Sequence, residues 1–438
     1  MRKPVREAVR LIAISGCLTL LLSVLAGCGS EKPDAAFPAV IDDLPVVTAA
    51  AEDWPWWRGP MRDNVAAADQ DPPLVWSETE NVLWQADLPG SGHATPCIHG
   101  DRIFLASADK EQETIWINCF DRDSGDPLWQ TVVYSGPMAK IHGDNSYASA
   151  TAACDGERVF FPYQTDREVR MTAVDLDGTV VWDEAVTTFG SIQGYSASPV
   201  LYKSALIVST DGTKANKVTA LHRGTGQVVW QILRPEDDES YASPLVAHVA
   251  GRDQLVIIGP NKTRAYDPNS GELFWECDGP AKYTTATIAF DSEKIYATGG
   301  YPQKALLAIR ADGSGDVTDT HLAWKSDKKA GYVPSPLLGD GLIYAVADRG
   351  LMRCYDAASG QVVWEEDLNA PFYSSPVLVG DRVYLFDRKG KGYVFKAGRE
   401  FELLAENSLP DGVFATPVIC GSRIYLRTLG DFYCLGTP

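Results

Sequence analysis

The sequence has little of what metal and redox chemistry needs. Its 438 residues hold six histidines, His93, His99, His142, His222, His248 and His321. No His-x-His, His-Glu-x-x-His or paired Cys-x-x-Cys occurs, so the usual zinc signatures are excluded. No Cys-x-x-Cys-His is present to attach a haem covalently. Positive charge is also short: 39 Lys and Arg stand against 58 Asp and Glu, a formal net charge of -19. Broad binding to nucleic-acid phosphates is excluded on that balance, which reads as a solvated acidic surface. Long apolar runs are missing too. The run Leu11–Ala26 is 16 residues, short for a bilayer span.

That run follows Arg2, Lys3, Arg6 and Arg10, the order of a signal peptide. It ends in Leu25-Ala26-Gly27-Cys28, which resembles a bacterial lipobox. The expectation is a signal peptide over 1–27 and a diacylglycerol on Cys28. Gly29 rather than Asp implies sorting to the outer membrane, facing the periplasm. Residues 1–27 carry four positives and one negative, so cleavage takes the net charge from -19 to -22. Residues 28–52, with Pro33, Pro38 and Pro45 and no period, read as a flexible tether. Seven cysteines remain beyond Cys28, an odd number that leaves at least one thiol unpaired. Cys119, Cys354 and Cys434 fall where other repeats carry alanine, which marks a small buried site and no catalytic one.

What the chain has in quantity is tryptophan, 12 in all, with 38 glycines and 27 prolines. Many turns with periodic aromatics point to an all-β repeat fold. A Ser/Thr followed by Pro or Ala recurs at Thr95, Ser149, Ser198, Ser243, Thr285, Ser335, Ser375 and Thr416. These eight starts lie 40–54 residues apart, the length of a four-stranded propeller blade. Each leads through β-branched and aromatic runs separated by Gly/Asp turns. The pattern Asp-x-x-Ser-Gly-x-x-x-Trp then runs from Asp356 to Trp364, with equivalents ending at Trp129 and Trp275. His222 replaces the Asp in the copy ending at Trp230, a shorter version ends at Trp182, and one with an insertion ends at Trp324. Asp, Ser and Gly make the hairpin turn, and the Trp is placed to pack on the next blade and donate its indole N–H there.

This pattern resembles the tryptophan-docking motif of the pyrroloquinoline-quinone (PQQ) propeller superfamily over about residues 74–436. That superfamily includes quinoprotein alcohol dehydrogenases and the BamB-like envelope assembly lipoproteins. The resemblance implies an eight-bladed β-propeller of four-stranded antiparallel blades over 81–438. The eighth blade has room for only three strands after Thr416, so Asn81–Leu88 is expected to close the ring, with Trp84 in the docking role. Blade seven lacks the tryptophan, and its interface is expected to be less well docked. Residues 53–80 form an extension opening on Trp54-Pro55-Trp56-Trp57-Arg58-Gly59-Pro60, similar to the start of planctomycete members. It is read as packing across a propeller face, or else as an exposed partner or sugar site at Trp56, Trp57 and Arg58.

The resemblance also sets the chemistry to look for. The superfamily's dehydrogenases stack PQQ between a tryptophan and a disulfide of adjacent cysteines, with a bound calcium and an aspartate base. This sequence has no Cys-Cys pair and no assignable calcium set, so no cofactor, metal or catalytic residue is assigned. His142–Ser146 reads as a blade-entry loop making its own turn bonds. Two or three residues before the Ser/Thr starts lie His93, Tyr147, Tyr195, Tyr241, Tyr283, Tyr332, Tyr373 and Phe414. They are expected to ring one mouth of the central channel as a binding funnel. In BamB-like members, loops between blades bind the β-barrel insertase. The matching positions here are Ile192, Gln193 and Glu239, with Gln193 in place of the family's arginine and Tyr241 in place of its second acid. The expectation is a monomeric, non-enzymatic interaction scaffold for envelope proteins such as the β-barrel assembly machinery, binding no nucleic acid. A PQQ-dependent oxidoreductase and a carbohydrate-binding surface protein are the alternatives.

Overall fold

A computed structural model describes residues 41–42, 46–213, 216–234, 238–328 and 330–437. Cys28 and the signal segment lie outside the described residues.

The regular structure among the described residues is all strand. Blade one shows the plan: Cys97–His99, Arg102–Asp109, Thr114–Asp121 and Pro127–Ser135 pair antiparallel in that order from the channel outward. The two middle strands are buried along nearly their whole length, because neighbouring blades cover both of their faces. That is why they read as continuous apolar runs such as Ile103-Phe104-Leu105-Ala106. The outer strand, half exposed, returns to alternation. The same sheet recurs seven times more.

Closure is made as the sequence suggests. Val82–Asp87 pairs antiparallel with Asp431–Leu435 and supplies the outer strand of blade eight. Joining the two ends of the chain in one sheet leaves no free edge at the ring's seam.

The docking motif works through two residues at once. In blade six, Asp356 Oδ1 accepts the Ser359 N–H (3.0 Å) and hydroxyl (2.8 Å), which folds the turn. Gly360 has φ +70°, and a Cβ there would meet the Trp324 ring at 2.5 Å. The glycine is therefore the seat for the preceding blade's indole. Trp84 lies in the same way over Gly125. The indole N–H then donates to a carbonyl in the next blade's turn. The pairs are Trp84 to Arg122, Trp129 to Leu176, Trp182 to Arg223, Trp230 to Pro268, Trp324 to Ala357 and Trp364 to Gly398, all 2.9–3.3 Å.

Trp275 differs. Its N–H donates to Gln254 Oε1 at 2.8 Å in its own blade, and Gln254 Nε2 passes the link on to the Ala311 carbonyl. The insertion after Ala311 moves the turn away, and its residues Gly315–Asp316 add a fifth, parallel strand to blade four. Blade seven has no tryptophan because its neighbour has no turn to receive one: blade eight ends at the seam. The expectation of a poorly docked interface is corrected there. Trp76 of the N-terminal extension is 2 % exposed and packs on Tyr384 and Phe386 (6.4 and 5.5 Å between centroids), inside the apolar cluster shared by blades seven and eight.

The tether is likewise not wholly free. The Asp42 N–H donates to Ser204 Oγ (2.7 Å), its carboxylate meets His222 Nε2 (3.0 Å), and Val47 and Ala49 pack on the core. His222, standing in for the turn aspartate, accepts the Gly224 N–H through Nδ1 at 3.2 Å.

Candidate functional site: a cup closed at one end

The repeated Ser/Thr has a structural role that its spacing alone did not reveal. Six of the eight hydroxyls accept the backbone N–H of the corresponding residue one blade earlier. Thr95 donates to Thr151, Thr151 to Ser198, Ser198 to Ser243, Thr287 to Ser335, Ser335 to Ser375 and Ser375 to Thr416, all 2.8–3.2 Å. The Thr95 hydroxyl donates to the Thr416 carbonyl at 3.2 Å and carries the belt across the seam. Innermost strands that share no ladder are tied to one another in this way.

The belt corrects the repeat's register. In blades two and five its members are Thr151 and Thr287, two residues beyond the expected Ser149 and Thr285. Those are the two blades where alanine replaces the proline after the start.

With the register reset, the funnel residues sort themselves. Residues two before the belt line a cavity of about 320 Å³: His93, Ser149, Ser196, Tyr241, Thr285, Val333, Tyr373 and Phe414. Tyr332, three before, joins them. The expected ring of eight aromatics is thus five. Tyr147 and Tyr283 stand four before the belt and fall outside. The Tyr147 hydroxyl donates to the Ala139 carbonyl (2.7 Å), and Tyr283 packs on Tyr301 (6.2 Å). Tyr195 is buried against Phe189 and donates to the Ser209 carbonyl (3.2 Å).

The five that remain form one continuous wall in part. His93 stacks on Phe414 at 4.4 Å, and Tyr373 meets Phe414 edge-on at 5.5 Å. Arg388 lies over both Tyr373 and Phe414 (4.3 and 4.5 Å) and pairs with Asp144 at 2.7 Å. Asp144 comes from the loop entering blade two and Arg388 from blade seven, so this pair crosses the mouth. His142–Ser146 makes turn bonds of its own, yet His142, Asp144 and Asn145 also line the cavity. Burial foremost, then the charges of Arg427 and Arg388, hold the His93 imidazole down to about 3. It is neutral at physiological pH. The hydrogen bond and charge of Arg388 outweigh partial burial and lower the Asp144 carboxyl.

The other end of the channel is filled by residues 54–64 of the extension, which bond to belt residues or to residues up to three beyond them. Trp54 bridges to Ile98, the Pro55 carbonyl accepts the Cys154 N–H (2.7 Å), and Arg62 donates to the Leu201 carbonyl (2.8 Å). Arg58 donates to the Pro336 carbonyl (3.0 Å) and Asn64 to that of Pro376 (3.2 Å). Trp57 donates its indole N–H to Thr287 Oγ1 (2.9 Å) and forms part of the cup's floor. The expectation of an exposed site at Trp56, Trp57 and Arg58 is therefore corrected. Trp56 is 2 % and Arg58 0 % exposed, and burial pulls the Arg58 guanidinium down to about 10.

Of the partner-loop residues, Ile192 is 73 % exposed. Glu239 is buried and turned inward: its carboxylate accepts the Ser191 hydroxyl (2.6 Å), the Tyr241 hydroxyl (2.8 Å) and the Ile192 N–H (3.3 Å). It braces the loop rather than facing a partner. Gln193 lines the cup, and its carbonyl accepts from Asn145 Nδ2 at 2.8 Å.

The donor set does not fit PQQ. The seven described cysteines are free, buried in the blades and absent from the lining, so no adjacent-cysteine disulfide faces the cup. Asp144 is the sole acid among the described lining residues, and no cluster of metal-ligating side chains occurs among the described residues.

Fold and site together define a tryptophan-docked, eight-bladed propeller whose channel is a cup open at one face. A family model described as outer membrane protein assembly factor BamB matches residues 53–213, 116–320 and 264–399. The chain belongs to that family. The assembly factor BamB of Burkholderia pseudomallei is 23% identical over 368 residues, covering 79% of this chain and 85% of the relative. That of Yersinia pestis is 23% identical, covering 78% and 83%. Among solved structures, BamB from Moraxella catarrhalis superposes with a TM-score of 0.60 at 15% identity, over 81% of this chain and 99% of that one. Quinohemoprotein alcohol dehydrogenase from Comamonas testosteroni superposes at 0.65 and 13% identity, over 88% and 81%. At such identities the structural likeness speaks for the fold alone, and it extends to enzyme and assembly factor alike.

Proposed function

We propose that this chain is a non-enzymatic propeller lipoprotein, anchored through Cys28 to the periplasmic face of the outer membrane, that serves envelope protein assembly as a docking scaffold. The match to the assembly-factor family across residues 53–399 carries this reading. The docking element is the loop between blades two and three. Glu239 holds that loop from within while Ile192 stands out to solvent, an exposed apolar anchor on a braced backbone. Its partner is the β-barrel insertase.

Depletion of the protein in its own cell tests the function. Outer-membrane β-barrel proteins should fall in abundance while periplasmic soluble proteins hold steady. Unchanged barrel levels would sink the proposal.

A further inference from the structure

The cup adjoins the loop proposed for docking, which lends it Gln193 while Ile192 points to solvent, and its chemistry is specific. The belt bonds use a lone pair of Thr151, Ser198, Ser243, Ser335, Ser375 and Thr416 to accept backbone N–H groups. Each hydroxyl keeps its own proton, and all six residues line the cavity. A circle of hydroxyls, each with its proton and a second lone pair still unused, offers both donors and acceptors to whatever enters. Such a lining suits an occupant rich in hydroxyl groups.

Charge narrows the class. No lysine or arginine is among the described lining residues, and the one acid, Asp144, is paired with Arg388. His93 carries no charge at neutral pH, and the chain as a whole stands at -19. An anion would find hydroxyl donors but no free countercharge, inside a negatively charged molecule. The cup suits a neutral ligand.

Shape and surface narrow it further. The floor carries the Trp57 indole, and the wall carries the His93–Phe414 stack with Tyr373 and Tyr332. Flat aromatic surface beside a circle of donors matches a pyranose, which has apolar C–H faces and an equator of oxygens. The plug closes the far end, so length is limited. At about 320 Å³ the cup is at the small end of ligand sites, too small for a long chain. Asp144 at the mouth, whose carboxylate keeps lone pairs beyond its bonds from Arg388 and Tyr373, supplies acceptors for the sugar's own hydroxyls.

We propose that the cup is a carbohydrate site that takes a neutral mono- or disaccharide end-on from the open face. It works independently of the scaffold role.

The test is saturation-transfer NMR and titration of the full-length chain in a detergent without a sugar headgroup. Maltose and cellobiose are the probes, and glucuronate is the anionic comparison. Saturable millimolar binding of a disaccharide, weakened about tenfold (about 1.4 kcal/mol) in both Trp57→Phe and Tyr332→Phe, supports the site. Tyr332→Phe removes only a hydroxyl and guards against a misfolded plug. No saturation by either disaccharide, affinity in both variants equal to the parent's, or tighter binding of glucuronate would overturn it. Insertase binding measured on the same two variants should be unchanged, which keeps failure of the sugar site distinct from failure of the scaffold role.

Discussion

The two ends of the central channel are made of opposite materials. At the floor the chain fills its own channel: Trp54, Trp56 and Arg58 are each no more than 2 % exposed, and Arg58 and Arg62 donate N–H bonds to backbone carbonyls of blades six and three, respectively. At the mouth Tyr373, His93 and Phe414 remain part-open, and one ion pair spans them. The difference teaches that one end is packed shut by the chain's own residues while the other stays open to solvent. Sequence texture hides this, because both ends are aromatic with an arginine beside them.

Substitutions should separate the two ends by size of effect. Trp56→Ala removes a fully packed indole from the floor and should cost about 3–5 kcal/mol in denaturant unfolding. The same loss is expected for Trp76→Ala, which empties the seam between blades seven and eight. If either variant were as stable as the parent, the plug would be decoration and the comparison would fail. Between the ends lies the belt. Ser335→Ala leaves the buried Thr287 N–H unpaired and should cost about 1–3 kcal/mol.

The mouth should answer to pH before it answers to mutation. His93 is neutral when folded because its pKa is lowered to about 3, so protons bind the unfolded chain more readily below about 6.5. Stability should therefore fall as pH drops from about 6.5 towards 3, and His93→Gln should flatten that part of the curve. The lowered Asp144 carboxyl acts in the same direction at lower pH, since protonation breaks its pair with Arg388. A slope that persists unchanged in His93→Gln would assign it to other groups. The smallest effect belongs to Asp144→Asn, about 0–1 kcal/mol, as expected for a part-exposed pair.

Much of the fold was legible because its signals are local. Asp-x-x-Ser-Gly-x-x-x-Trp puts a turn, a glycine seat and an indole within nine residues, so the tryptophans that donate to the next blade's turn could be named in advance, with Trp84 added from the closing strand; Trp275, named with them, bonds within its own blade instead. The closing strand was legible because a blade was visibly short. The site was less so. Register at blades two and five slipped by two residues where alanine took the place of proline, and Tyr147 and Tyr283 were carried into the funnel with it. An alternation of Ser-Ala-Thr-Ala and Thr-Ala-Thr-Ile offers two hydroxyls at a spacing that keeps them on one face, and only the neighbouring blade decides between them. The plug has no period at all. Its conformation is set by carbonyls from several blades, none nearby in sequence.

We propose that protein docking falls outside the channel, at Ile192 on the loop that Glu239 braces from within. The most direct test of that claim is the affinity of the purified full-length chain for the β-barrel insertase of its own cell, measured alongside Ile192→Asp and Trp57→Phe. The account predicts saturable binding that is lost in Ile192→Asp and retained in Trp57→Phe. No binding by the parent chain, or binding that survives Ile192→Asp and disappears in Trp57→Phe, would contradict it.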